Sequence, residues 1–167
     1  MCVPISAKVY TRLRIAVRRY RILLRFVTRK KLLLAIVDDD ESVGRAIKRL
    51  ARSLNMAAES YSSSEDFINQ IESLPSFRPD CVILDVQMPG MNGIDVQRRL
   101  RLTHQDIPVI FITAYDDDLA RKQALAGGAT SFLRKPCNDA LIIRSLDAAL
   151  GREPDDKTGE GDDRESE

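Results

Sequence analysis

The chain predicts an α/β domain built on a parallel sheet, and three observations carry that prediction. Short apolar runs of Leu, Ile and Val stand at Leu32–Val37, Cys81–Leu84 and Val109–Ile112, each four to six residues long. Strands buried on both faces of a parallel sheet read this way. Longer segments with helical spacing lie between the runs. The two patterns alternate five times from Leu32 to Leu150, as they do where right-handed crossovers lay helices on both faces of a sheet.

The first strand is Leu32–Val37. Val43, Ala46, Ile47, Leu50 and Leu54 then recur at helical spacing. Ala57–Tyr61 is a weaker second strand, followed by a helix marked by Phe67, Ile68 and Ile71. Ser62–Ser64 with Glu65 reads as the cap of that helix rather than as a catalytic serine. Cys81–Leu84 is the third strand, with Cys81 in the core, and Ile94, Gln97 and Leu100 mark the third helix. Pro89–Gly90 and Asn92–Gly93 are turn chemistry that shapes the intervening loop. Val109–Ile112 is the fourth strand and Leu119–Ala126 the fourth helix, with Asp116–Asp118 suited to its positive N-terminal end. Thr130–Leu133 is a weaker fifth strand. Leu141, Ile142, Ser145, Leu146 and Ala149 form the last helix. His104 reads as a surface residue at a helix end.

The ends differ in kind from this core. The net charge of +1 hides a gradient: residues 1–31 carry ten Lys or Arg and no acid, residues 32–150 carry thirteen basic against seventeen acidic residues, and residues 151–167 carry three against eight. The organisation expected is therefore a basic extension over 1–31, a domain over 32–150 and a disordered acidic tail over 151–167. In residues 9–29, Leu13, Ala16, Val17, Tyr20, Leu23, Leu24 and Val27 share one helical face, and Arg14, Arg18, Arg21 and Arg25 share another. A basic amphipathic helix of that kind meets acidic lipid or nucleic acid. The competing readings are an extension without specific function and a start site placed too far upstream. No apolar stretch is long enough for a transmembrane helix, and arginines interrupt every apolar run that a secretory signal would need. Three cysteines without a CxxC pair, and one histidine, argue against a disulfide framework or a zinc site. The expectation is a reduced cytoplasmic protein.

Ligands of open α/β sheets sit at the carboxyl ends of the strands. Asp38–Asp39–Asp40–Glu41 follow the first strand, Asp85 the third, Thr113–Ala114 the fourth and Lys135–Pro136 the fifth. Clustered carboxylates repel unless a cation neutralises them. An oxygen-only ligand set, with no His or Cys beside it, suits magnesium. Gly127–Gly128 and Met88–Pro89–Gly90 do not match a GxxxxGK[ST] loop, so the cation is not expected to carry a nucleotide. What remains is phosphoryl transfer to a carboxylate nucleophile. Asp85, alone at the end of a central strand, is the candidate, and Asp38 and Asp39 would hold the metal.

Five segments, Ile36–Val43, Val82–Gly93, Ile107–Ala114, Ala126–Ala129 and Phe132–Pro136, follow in order and at the spacing of a known family. Over about Lys31 to Leu150 the chain resembles a receiver domain of the two-component response regulators, nearest in flavour to the FixJ-like group. The resemblance implies a doubly wound (βα)5 flavodoxin-like fold with strand order 2-1-3-4-5. It implies that Asp85 accepts a phosphoryl group from a histidine kinase or phosphotransfer protein. Asp38, Asp39, Asp85 and the backbone carbonyl of Gln87 would bind Mg2+. Thr113 and Lys135 would contact the phosphoryl group, Phe132 would take the aromatic switch position, and the Lys135–Pro136 bond would be cis. The signal would pass through the fourth helix, fifth strand and fifth helix, about Asp116 to Leu150, to a downstream protein or a second copy. The chain would be an acceptor with slow self-dephosphorylation rather than an enzyme.

Tyr115 and Gln87 stand where the family tunes phosphoryl lifetime. Cys137 replaces a common Phe and reads as a core residue rather than a redox-sensitive thiol. FixJ-like regulators continue into a DNA-binding domain. Only a seventeen-residue tail follows Leu150, its eight acids against three basic residues would repel DNA, and a stand-alone receiver without a DNA-binding domain is expected. Two other readings remain. One is a receiver-fold interaction module that works without phosphorylation. The other is a magnesium-dependent hydrolase of the haloacid dehalogenase type, which Asp38–Asp39–Asp40 matches as DxD but which leaves Asp85 unexplained.

Overall fold

The computed structural model describes residues 31–103, 107–114 and 117–152. Readings that fall on residues 1–30, His104, Tyr115, Asp116 and 153–167 lie outside the described residues. Five parallel strands, β1 (Leu33–Val37), β2 (Ala57–Tyr61), β3 (Cys81–Leu84), β4 (Val109–Thr113) and β5 (Ser131–Arg134), form one sheet in the order β2-β1-β3-β4-β5. The helices between and after them are α1 (Glu41–Ser53), α2 (Ser64–Ser73), α3 (Gly93–Thr103), α4 (Asp118–Ala126) and α5 (Asp139–Leu150). This is the parallel sheet that the apolar pattern predicts, in the doubly wound strand order that the family resemblance implies. Thr113 differs slightly from expectation: it is the last residue of β4 rather than the first after it.

The period of two in the strands divides the core. Ala35, Val37, Val82, Leu84 and Phe111 point to one face, where Phe67, Ile71, Val96, Leu100 and Ala124 of α2, α3 and α4 cover them. Leu34, Ile36, Ile83, Ile110 and Ile112 point to the other, against Ile47 and Ala51 of α1 and Ile142 and Leu146 of α5. Cys81 is in this second core, as expected, and burial pushes its thiol up to about 12, so it stays protonated. β1, β3 and β4 are wholly or almost wholly buried, whereas the edge strands β2 and β5 are only part-covered.

Short polar residues start the helices. Asp40, Ser63, Asp117 and Asn138 cap α1, α2, α4 and α5, and each side chain accepts a backbone N–H from the first turn. Asp117 and Asp118 therefore serve the α4 N-terminus, as the sequence suggests. At the far end of α1, Asn55 adopts a left-handed φ of 56° and the chain turns directly into β2.

Candidate functional site

Register brings the acidic residues together. Val37 pairs with Leu84 across β1 and β3, and Thr113 pairs with Arg134 across β4 and β5. The residues that follow, Asp38, Asp85 and Lys135, therefore leave the sheet at one rim. The ladder runs one step past the strands: the Asp38 N–H donates to the Tyr61 carbonyl at 3.0 Å, the Asp85 N–H to Val37 at 2.9 Å and the Lys135 N–H to Thr113 at 2.8 Å. Gly93 closes the loop after β3 by donating its N–H to the Val86 carbonyl. A Cβ on Gly93 would collide with the backbone oxygen of Asp85, so only glycine allows the loop to pass this close.

The Lys135 ammonium donates to Asp38 Oδ2 and to Asp85 Oδ2, both at 2.7 Å. Both carboxylates are buried, Asp38 more deeply than Asp85. The remaining oxygens are oriented by the backbone: the Asp40 N–H donates to Asp38 Oδ1 at 3.0 Å and the Gln87 N–H to Asp85 Oδ1 at 3.2 Å. Asp39 is exposed beside them, and one carboxylate oxygen from each of Asp38, Asp39 and Asp85 lies within 4.8 Å of the others.

One ammonium bridges two of the three carboxylates here, Asp38 and Asp85, and the electrostatics reflect it. Burial pushes the Asp38 carboxyl above its ordinary value, against the pull of Lys135 and of the Asp40 N–H. Burial works against the Lys135 ammonium, but its bonds to Asp38 and Asp85 outweigh that and hold it protonated. A hard divalent cation fits such a donor set: the ligands on offer are oxygens, they converge, and they carry more negative charge than the lysine cancels.

Thr113 is fully buried at the end of β4, on the strand next to β3. Phe132 is half-buried on β5, with its ring 5.8 Å from that of Phe111 and the Arg121 guanidinium 5.8 Å above it. The Lys135–Pro136 bond is cis. Cys137 is half-buried against the α1–α5 core, where burial raises its thiol. It lines an apolar cavity of about 480 Å³ together with Val43, Leu50, Pro136 and Ile142. An open polar groove of about 670 Å³ leads away from Asp39 between Gln87, Asn92, Arg98 and Asp117.

Glu65 departs from the expectation that it serves as a helix cap. Ser63 alone accepts the capping N–H, from Asp66, and the Glu65 carboxylate reaches across to the loop after β3, where it accepts the Met91 N–H at 2.9 Å. That bond spans 26 positions, so no local pattern announces it. Gln97 is another buried polar side chain with a long reach: its amide donates to the Ala124 carbonyl at 3.0 Å and ties α3 to α4.

Residues 34–147 match the family model described as response regulator receiver domain. The chain is 34% identical over 135 residues to the response regulator protein TodT of Pseudomonas putida, covering 81% of this chain and 58% of that protein. It is 37% identical over 122 residues to the response regulator protein TmoT of Ectopseudomonas mendocina, covering 73% and 54%. The chain thus spans little more than half the length of these relatives. Among solved structures, a response regulator receiver protein from Burkholderia phymatum is 57% identical, with a TM-score of 0.66 over 74% of this chain and 98% of that one. FixJ-N is 28% identical, with a TM-score of 0.65 over 74% and 97%. A family match over most of the chain, together with relatives at 34–37% identity and solved receiver structures of the same fold, means that this chain belongs to the response regulator receiver domains of two-component systems.

Proposed function

We propose that this chain is a phosphorylation-controlled signalling switch that accepts a phosphoryl group on Asp85. The observation that carries the reading is Lys135, which bridges Asp38 and Asp85 beside Asp39 at the carboxyl edge of the sheet. Asp38, Asp39, Asp85 and the Gln87 backbone carbonyl would hold Mg2+. When bound, that ion supplies the positive charge that lets a carboxylate and an anionic donor approach.

An Asp85 oxygen bonds to phosphorus while the bond from phosphorus to the donor's histidine nitrogen breaks, and the electron pair stays on that nitrogen. The Gln87 N–H keeps Asp85 oriented through Oδ1. Lys135 already donates to Oδ2 and follows the added charge onto a phosphoryl oxygen. Thr113, on the adjacent strand, supplies a hydroxyl to the same group. Phosphorylation adds charge and strong acceptors, and the repacking of Thr113 and Phe132 passes the change to α4, β5 and α5. Leu119, Leu125 and Leu141 are exposed on α4 and α5, which suits that face to a downstream protein or a second copy. The phosphodonor is a histidine kinase or phosphotransfer protein, the setting is cytoplasmic, and the chain accepts phosphate rather than turning over a substrate. Among the described residues, no helix is long and apolar enough to cross a membrane.

Intact mass after incubation with acetyl phosphate tests the reading. The wild type gains one phosphoryl group only when Mg2+ is present, and Asp85→Asn gains none. A magnesium-independent gain, or an equal gain in Asp85→Asn, contradicts it. No gain from acetyl phosphate or from any histidine kinase in a panel favours the phosphorylation-independent module.

A further inference from the structure

The loop after β3 is fastened at its ends and in its middle. The Gln87 N–H on Asp85 and the Gly93 N–H on the Val86 carbonyl hold its two ends. Its middle is held by the first turn of α2. The Ser64 hydroxyl lies 3.5 Å from the Met88 sulfur, and Glu65 Oε1 accepts the Met91 N–H at 2.9 Å. Glu65 Oε2 lies 3.2 Å from the Ser63 hydroxyl, which fixes the carboxylate from behind. Gly90 has φ 77°, and a Cβ there would strike Glu65 Oε1, so the turn leaves room for this carboxylate. The Met91 N–H also holds the Glu65 carboxyl below its ordinary range, as a hydrogen bond to the ionised form does.

We propose that Glu65 is a positioning residue: its carboxylate anchors the Gln87–Gly93 loop beside Asp85 and thereby sets how tightly the acidic site takes a divalent cation. The inference rests on the reading of Asp38, Asp39, Asp85 and Gln87 as that cation's ligands. Glu65 itself touches neither the ion nor the phosphoryl group. Without its anchor the middle of the loop keeps only the long Ser64–Met88 contact and samples more shapes, which the site must order each time the ion binds. The N–H that caps α2 is accepted by the Ser63 hydroxyl and not by Glu65, so the capping acceptor stays in place when Glu65 is replaced.

The test is the Mg2+ dissociation constant of the full chain, measured by calorimetry for wild type, Glu65→Ala and Glu65→Gln, with amide hydrogen exchange followed alongside. Loss of one charge-assisted hydrogen bond predicts about three- to tenfold weaker Mg2+ binding in Glu65→Ala. It also predicts faster exchange at Met91, with unchanged exchange at the α5 cap amide of Leu141. Glu65→Gln keeps an acceptor of the same length without the charge, and is expected to recover most of the affinity. Equal affinity in Glu65→Ala and wild type overturns the proposal. So does Glu65→Gln binding as weakly as Glu65→Ala, which would make the effect one of net charge, and so does exchange that accelerates throughout the molecule, which would make it one of global stability. A wild type that binds no Mg2+ overturns the reading of the site together with the inference.

Discussion

Lys135 connects structure to chemistry at the scale of single residues. Its ammonium is shared by two buried carboxylates, so removing it leaves both without their common cation. Breaking a buried ion pair from one side costs about 3–5 kcal/mol. With the lysine side chain 19% exposed, the lower end applies, and Lys135→Ala is expected to lose about 3 kcal/mol in urea denaturation without metal. Because Mg2+ binds the folded site, it should raise the melting temperature of Lys135→Ala more than that of the wild type. Asp38 gives a pH signature. Its folded carboxyl is raised above the ordinary 3.8, chiefly by burial. The folded chain therefore holds this proton to higher pH than the unfolded chain does. Ionising Asp38 destabilises the fold, and this cost is nil below the unfolded value, grows as pH rises through the window above 3.8 and is complete above the folded value. Denaturation of metal-free Asp38→Asn and wild type at pH 4 and pH 7 should show the difference shifting in favour of Asn at the higher pH.

The elements differ in how plainly the sequence announces them. β1, β3 and β4 are covered on both faces, and their apolar runs give their bounds nearly to the residue. β2 and β5 are part-exposed edge strands, and sequences such as AAESY and SFLR carry a fainter signal for that reason. Helical spacing located all five helices, but the capping chemistry was legible only where it was local. Asp117 caps α4 as its position suggests, whereas Glu65 left the expected role because the Met91 N–H, 26 positions away, offers it a partner. Gln97 is a case of the same kind: its spacing places it on the inner face of α3, and only the fold supplies the Ala124 carbonyl it bonds. Gln97→Ala removes this buried link between α3 and α4 and should cost about 2 kcal/mol by chemical denaturation. The Ala124 carbonyl keeps its bond from the Ala129 N–H, which limits the loss.

For the molecule as a whole, parallel topology explains why so much of the site could be anticipated. Asp38, Asp85, Thr113 and Lys135 lie far apart in the chain, yet each sits at the end of a strand, and a parallel sheet gathers all those ends on one edge. Turn chemistry at Pro89–Gly90 and Asn92–Gly93 likewise foretold a shaped loop beside Asp85. The sequence carries no signal for how one lysine divides itself between two acids, or for the apolar cavity between α1 and α5, because both depend on side chains from elements that are distant in sequence. Chemistry at the rim then has one decisive readout, the residue that bears phosphate. After phosphorylation with Mg2+ and acetyl phosphate, borohydride reduction converts an aspartyl phosphate to homoserine, and peptide mass spectrometry locates it. Homoserine at position 85 alone is the predicted result. Homoserine at Asp38, Asp39 or Asp40 instead, or phosphate retained on a serine or threonine, would contradict the assignment of Asp85 as the acceptor.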